Sequence, residues 1–255
     1  MAKLCKNRGF SLTEVLIAVG ILAVGMTFIA GVFPAGIYLT TIATERTIAA
    51  VAADEAFAKI RIFDVNAAGL VTNQQTPFAS IDPNELEYPS TDTGDSKQYC
   101  WSALCRRTDA NDRLVQITVF VSRRVSPNLE YYRPDPSGSG EVAWPTPQVT
   151  NRPVPVKVGV DSVLGPGHED ELRIRYSDEK EKAFVNDGYT IVDDATGRIY
   201  RVLERYKDPD DTILLDRNWD DSPPGGAPQN VWVVPPPVNG GRYPCIAVYQ
   251  KVIRF

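Results

Sequence analysis

Glu14 is the last charge before a run of thirty residues, Val15 to Thr44, that carries none. A lone carboxylate at the head of an apolar helix is costly to desolvate and takes a partner where one is offered. Elsewhere the side chains with reactive chemistry are sparse. His168 is the only histidine, set in Gly165-Pro166-Gly167-His168-Glu169-Asp170-Glu171, and no G-x-S-x-G elbow accompanies it. Its Gly/Pro flanks predict an exposed loop residue rather than a general base. Cys5, Cys100, Cys105 and Cys245 form no C-x-x-C pair and match no zinc pattern. Acidic clusters stand at Asp208-Pro209-Asp210-Asp211 and from Asp216 to Asp221. Their oxygens suit calcium, but neither follows EF-hand spacing, and solvated turns are the plainer reading. The expectation is a protein without catalytic residues and without a resident cofactor, calcium being the one ion left open.

The bulk composition fits that expectation. A chain of 255 residues, 43% hydrophobic and 23% charged, can bury one or two modest cores. Its net charge of −5 argues against a nucleic-acid binder. The charge is also uneven. Lys3, Lys6 and Arg8 lie in the first nine residues with no acid, and the remainder has 24 basic and 32 acidic side chains.

The uncharged run is long enough to cross a bilayer, and the basic cluster before it predicts a cytoplasmic N-terminus. A secretory signal also has a basic start and an apolar stretch. Its apolar region is normally only about 7–15 residues, and it has no place for an acid such as Glu14.

The segment Arg8-Gly9-Phe10-Ser11-Leu12-Thr13-Glu14-Val15-Leu16-Ile17-Ala18 resembles the prepilin processing site of type IV pilins and type II secretion pseudopilins. The resemblance covers about residues 1 to 63. It implies cleavage after Gly9 by a membrane prepilin peptidase and N-methylation of Phe10. It also implies that Glu14 pairs with the α-amine of a neighbouring subunit during assembly. Gly9 suits such a cut because its backbone is open and flexible. The implied partners are other pilin or pseudopilin subunits, the peptidase, an inner-membrane assembly platform and membrane lipid. The implied location is the inner membrane, with the head periplasmic, and then a pilus or pseudopilus that reaches the cell surface in the pilus case.

The fold class expected is α+β, with a long N-terminal helix packed on an antiparallel sheet and a further β-rich region at the C-terminus. Residues 1–9 read as leader and 10–63 as the helix, which crosses the membrane at about 15–40. From Ile48, apolar residues at Val51/Ala52, Ala56, Ile60 and Phe63 make a helical stripe for the head. Pro34, between Gly31 and Gly36, is expected to kink or locally melt this helix. Residues 64–126 read as the head sheet, with strands at Tyr99–Cys105 and Leu114–Val121 joined by a turn at Asp109–Arg113. Residues 127–155, with seven prolines, read as a linker or surface loop. Residues 156–255 read as a small sandwich or barrel of seven short strands, the last at Ile246–Phe255.

Cys100 and Cys105 would lie about 16 Å apart along a strand, too far for a direct bond unless the segment bends. Cys245 paired with Cys105, or with Cys100, is the easier disulfide, and the resemblance favours one in the head; free buried thiols are the alternative. The leading functional reading is a structural subunit, with an elaborate head that leans towards a minor pilin or pseudopilin. A single-span anchored binding protein and a secreted enzyme cut near Ala30 or Ala35 are the rivals.

Overall fold

The structure is a computed structural model that describes residues 10–63, 75–78, 81–89, 97–108, 114–124, 128–163, 167–206, 211–219 and 229–255. It has two compact units, Met1–Thr47 and Ile48–Phe255. The first is built from helix α1 (Leu12–Ile62), which continues into the second. Between Val15 and Leu39 its large apolar side chains are exposed, and the helix is long and apolar enough to cross a membrane. Such a segment must satisfy its own backbone in lipid, which only a helix does within one chain segment. Thr27, Thr40, Thr41 and Thr44 hide their hydroxyls the same way, each donating to the carbonyl four residues earlier at 2.8–2.9 Å.

Of the kink or local melting expected at Pro34, melting does not occur, because residues 31–36 stay helical. A proline inside a helix forfeits one backbone bond, and the bonded turns on either side hold this long cooperative helix through the gap.

In the second unit α1 buries Ala49, Ala52, Ala53, Ala56, Phe57 and Ile60. These steps of three and four residues define one face. The predicted stripe is therefore slightly displaced: Val51 is 51% exposed and Phe63 42% exposed. Val51 lies about 100° round the helix from Ala52, and Phe63 follows the last helical residue, Ile62. The alanines let the helix backbone approach the sheet closely.

Strands β1 (Thr76–Pro77) and β2 (Glu87–Tyr88) pair with successive parts of β3 (Tyr99–Arg107), and β3 pairs with β4 (Leu114–Arg123) in antiparallel register. The predicted turn at 109–113 lies outside the described residues. The short ribbon β5 (Tyr131–Tyr132) and β6 (Val149–Thr150) follows. Next come β7 (Val156–Ser162), β8 (Glu171–Arg175), β9 (Thr190–Asp193), β10 (Ile199–Tyr206), β11 (Thr212–Leu215) and β12 (Gln229–Val233). They close a six-stranded barrel in the order β7-β8-β11-β10-β9-β12. Alternate residues such as Val156, Val158, Val160, Leu172, Ile174 and Val202 fill its interior.

The last strand, β13 (Cys245–Arg254), leaves the barrel and pairs with β4 from Cys245↔Ser122 to Arg254↔Leu114. Its sequence reads as one more short strand of the C-terminal region, whereas its place is in the head sheet. Residues 128–155 also differ from the linker reading. Tyr131, Tyr132 and Val142 are buried, and the Tyr132 ring packs on Phe184 and Trp144 at 5.1 and 5.6 Å. Proline removes a ladder donor, but it does not prevent its neighbours from burying side chains.

The sheet is covered on both faces. Trp101, Ala103, Ile117, Val119 and Val121 meet α1, while Leu104 and Phe120 meet Val192, Trp232 and Val234 of the barrel side. A polar seam runs beside this second contact. Arg106 donates from Nη1 to the carbonyl of Ala195 at 2.6 Å and from Nη2 to Gln116 Oε1 at 2.7 Å. Gln250 Nε2 donates to the carbonyl of Gly197 at 2.7 Å and to Thr118 Oγ1 at 3.0 Å. The β9–β10 turn is thereby seated on the sheet. Gly197 is required there: its φ is +71°, and a Cβ would come 2.4 Å from Gln75 Nε2 and 2.9 Å from Gln116 Oε1.

A comparison of two glycines tests that seating. Gly188 has a φ of +78° and open space around it, so Gly188→Ala should cost the backbone strain alone, about 1–2 kcal/mol. Gly197→Ala should cost clearly more, measured as a larger fall in the urea midpoint. Equal losses would mean that the turn is not seated on the sheet.

Candidate functional site

Phe10 to Glu14 carries the chemistry that the sequence singles out. Phe10 is 88% exposed, and α1 begins two residues after it. The first turn of any helix leaves backbone N–H groups without intrahelical partners. Here Ser11 Oγ accepts from the Thr13 N–H at 3.3 Å, and Glu14 Oε2 accepts from the Ser11 N–H at 2.9 Å. The Ser11 carbonyl takes the N–H groups of Glu14 and Val15 at 3.0 and 3.2 Å. Ser11 thus caps the helix through the Thr13 N–H, and Glu14 supplies the return half of a capping box by accepting from the Ser11 N–H. Its carboxylate also lies at the positive end of the helix dipole.

Glu14 therefore has a role inside its own chain. One oxygen holds the start of the helix, while Oε1 makes no hydrogen bond among the described residues. The contribution of Ser11 is not part of the sequence reading above, although S-x-x-E ahead of an apolar run is a legible signal for it. Gly9 lies outside the described residues. Pro34 is inside α1, well along the exposed apolar stretch.

Cys100, Cys105 and Cys245 are buried and not joined by a disulfide, so the expected bridge is absent. The register gives the reason. Cys100 and Cys245 both stand opposite Ser122 of β4, one on each flanking strand. Two strand spacings separate their Cα atoms by about 9.5 Å, beyond the roughly 7 Å that a disulfide spans. Cys105 stands opposite Ile117 and packs in the core under α1, whereas Cys245 packs with the barrel. Burial pushes the thiols of Cys100 and Cys245 up to about 12 from an ordinary 9.0.

His168 is half exposed and contacts Glu171 at 2.9 Å, with no nucleophile brought to it among the described residues. Asp208 to Asp210 and Asp220 to Asp221 lie outside the described residues. At Asp211 burial acts to raise the pKa, but the Arg205 guanidinium, 2.7 Å away, holds the carboxyl below its ordinary range. Asp216 is likewise lowered against the effect of burial, by the Arg201 N–H at 3.0 Å and by Arg217 at 3.1 Å. These oxygens are committed to donors within the protein. Among the described residues no three His, Cys, Asp or Glu side chains gather as a metal site.

The family model for the prokaryotic N-terminal methylation motif matches residues 4–30. The chain thus carries the type IV pilin and pseudopilin signature. No curated protein and no solved structure matches the chain.

Two outcomes follow from this geometry. Ser11→Ala should destabilise the first turn by about 1 kcal/mol, seen as faster hydrogen exchange at residues 12–14 with no change beyond the second turn. For the thiols, both folded-state values lie above the unfolded value. The stability they confer is then complete below pH 9.0 and lost as pH rises towards about 12. Above pH 9 the urea midpoint of the wild type should fall more steeply than that of Cys100→Ala or Cys245→Ala, and reductant should leave it unchanged at neutral pH. A drop on adding reductant would reveal a disulfide.

Proposed function

We propose that this chain is a structural subunit, a minor pilin or pseudopilin, of a type IV pilus or type II secretion system. The observation that carries the reading is Gly9-Phe10…Glu14 at the head of an uncharged apolar helix, within the matched methylation motif. Prepilin peptidase cuts after Gly9 and methylates the new α-amine of Phe10. The basic leader keeps that end cytoplasmic, in line with the positive-inside rule. The subunit waits in the inner membrane, with the uncharged first part of α1 in lipid and the second unit in the periplasm.

Assembly then follows from the cost of charge in lipid. The Phe10 ammonium and the Glu14 carboxylate are each expensive alone, and pairing between neighbours offsets much of that expense. The capping box fits this role, since it fixes the Glu14 side chain on its own helix and leaves Oε1 open. The pair sets the register in which subunits enter the filament, delivered by the inner-membrane assembly platform. The elaborate second unit, with a barrel added to the head, favours a minor position over a densely repeated one.

Mass spectrometry of the mature protein from its native host tests this reading. The expected N-terminus is Phe10 bearing one added methyl group. Glu14→Ala should leave cleavage intact but remove the subunit from sheared filaments or crosslinked assemblies. A mature start near Gly31 or Gly36 would mean a secreted protein, and an intact Met1 a simple anchor; either would refute the proposal.

A further inference from the structure

The second unit contains a cleft of about 550 Å³. One wall is the edge of the head sheet, with Phe78, Leu86 and Ala103. The opposite wall comes from segment 133–155, with Pro134, Val154 and Pro155. A cleft of this size with a mostly apolar lining suits a small organic ligand, oriented by a few convergent polar groups.

Those groups are Arg133, Arg152 and Ser102. Arg133 is exposed and donates to the neutral amide oxygen of Gln148; no carboxylate pairs with it among the described residues. Arg152 is partly buried, and that burial presses its guanidinium below the ordinary value. Ser102 is only 9% exposed, and its Oγ makes no hydrogen bond among the described residues. The one acid in the lining, Asp135, is already engaged. Its Oδ1 accepts from the Ser137 N–H at 3.1 Å and its Oδ2 from the Ser137 hydroxyl at 2.9 Å. The polar side of the cleft is therefore cationic.

We propose that this cleft binds a small organic carboxylate with an apolar aromatic or aliphatic body. The carboxylate sits with Arg133 and Arg152, whose planar guanidinium groups match two oxygens at once. The body lies on Phe78, Leu86 and Val154. A neutral apolar ligand would cover part of Arg133 without bringing it an opposite charge. A bare inorganic anion would leave the apolar walls wet.

Fluorine NMR tests this with the full-length protein in lipid nanodiscs and empty nanodiscs as the blank. The probe is para-fluorophenylacetate. Its resonance should broaden saturably beyond the blank. The neutral para-fluorophenylacetamide should bind at least about tenfold more weakly, as should the acid to Arg133→Gln, since each loses a charge-assisted contact. Arg133→Lys should retain part of the affinity. Arg133 is exposed, so these variants should keep the wild-type thermal midpoint. Equal binding of acid and amide, an unchanged Arg133→Gln, displacement by an equal concentration of inorganic phosphate, or broadening no greater than in the blank would each overturn the proposal.

Discussion

Strand β4 has no face left for water, and the second unit is organised around that fact. Val115, Ile117, Val119 and Val121 point into the core under α1, while Phe120 points into the contact with the barrel. A strand buried on both sides loses the polar/apolar alternation of a half-exposed one, and Leu114-Val115-Gln116-Ile117-Thr118-Val119-Phe120-Val121 is accordingly almost continuously apolar. The two polar exceptions, Gln116 and Thr118, are tied to Arg106 and Gln250 in the seam beside the barrel. Removing the barrel would expose Phe120 and Leu104 and break the bonds from Arg106 to the Ala195 carbonyl and from Gln250 to the Gly197 carbonyl.

The same arrangement accounts for a second buried cluster. Asp194, at the end of the β9 hairpin, accepts from Trp232 Nε1 at 2.7 Å and pairs with Lys157 at 3.0 Å. A buried charge needs both a counter-ion and hydrogen bonds, and Asp194 has each. Lys157 also lies over the Trp232 ring, and Gly140 is glycine because a Cβ there would strike that ring at 2.6 Å. The proline-rich segment is thus fastened to the barrel and forms one wall of the cleft.

At the other end of the chain the governing constraint is the cost of charge in lipid. Among Phe10 to Thr44 the only acidic or basic side chain is Glu14, and it stands at the first helical turn. There it closes the helix N-terminus by accepting from the Ser11 N–H. No residue further along could do this, because interior N–H groups are already bonded.

The sequence alone determined the features that depend on neighbours along the chain. The apolar run, the methylation motif, the helix, the strands at Tyr99 and Leu114 and the short strands of the barrel are all local patterns of period and turn chemistry. His168 as a loop residue follows from its glycine and proline flanks in the same way. Tertiary structure decided what depends on distant partners. Cys245 reads as easily bonded to Cys105 until the register of β13 against β4 sets the two on different strands and opposite faces. The pairing of β13 itself, the burial of Tyr131 and Tyr132 within a proline-rich stretch, and the cleft between Phe78 and Val154 have no local signature. Each joins segments tens of residues apart, and side-chain packing between layers, rather than the repeat of any one element, selects it.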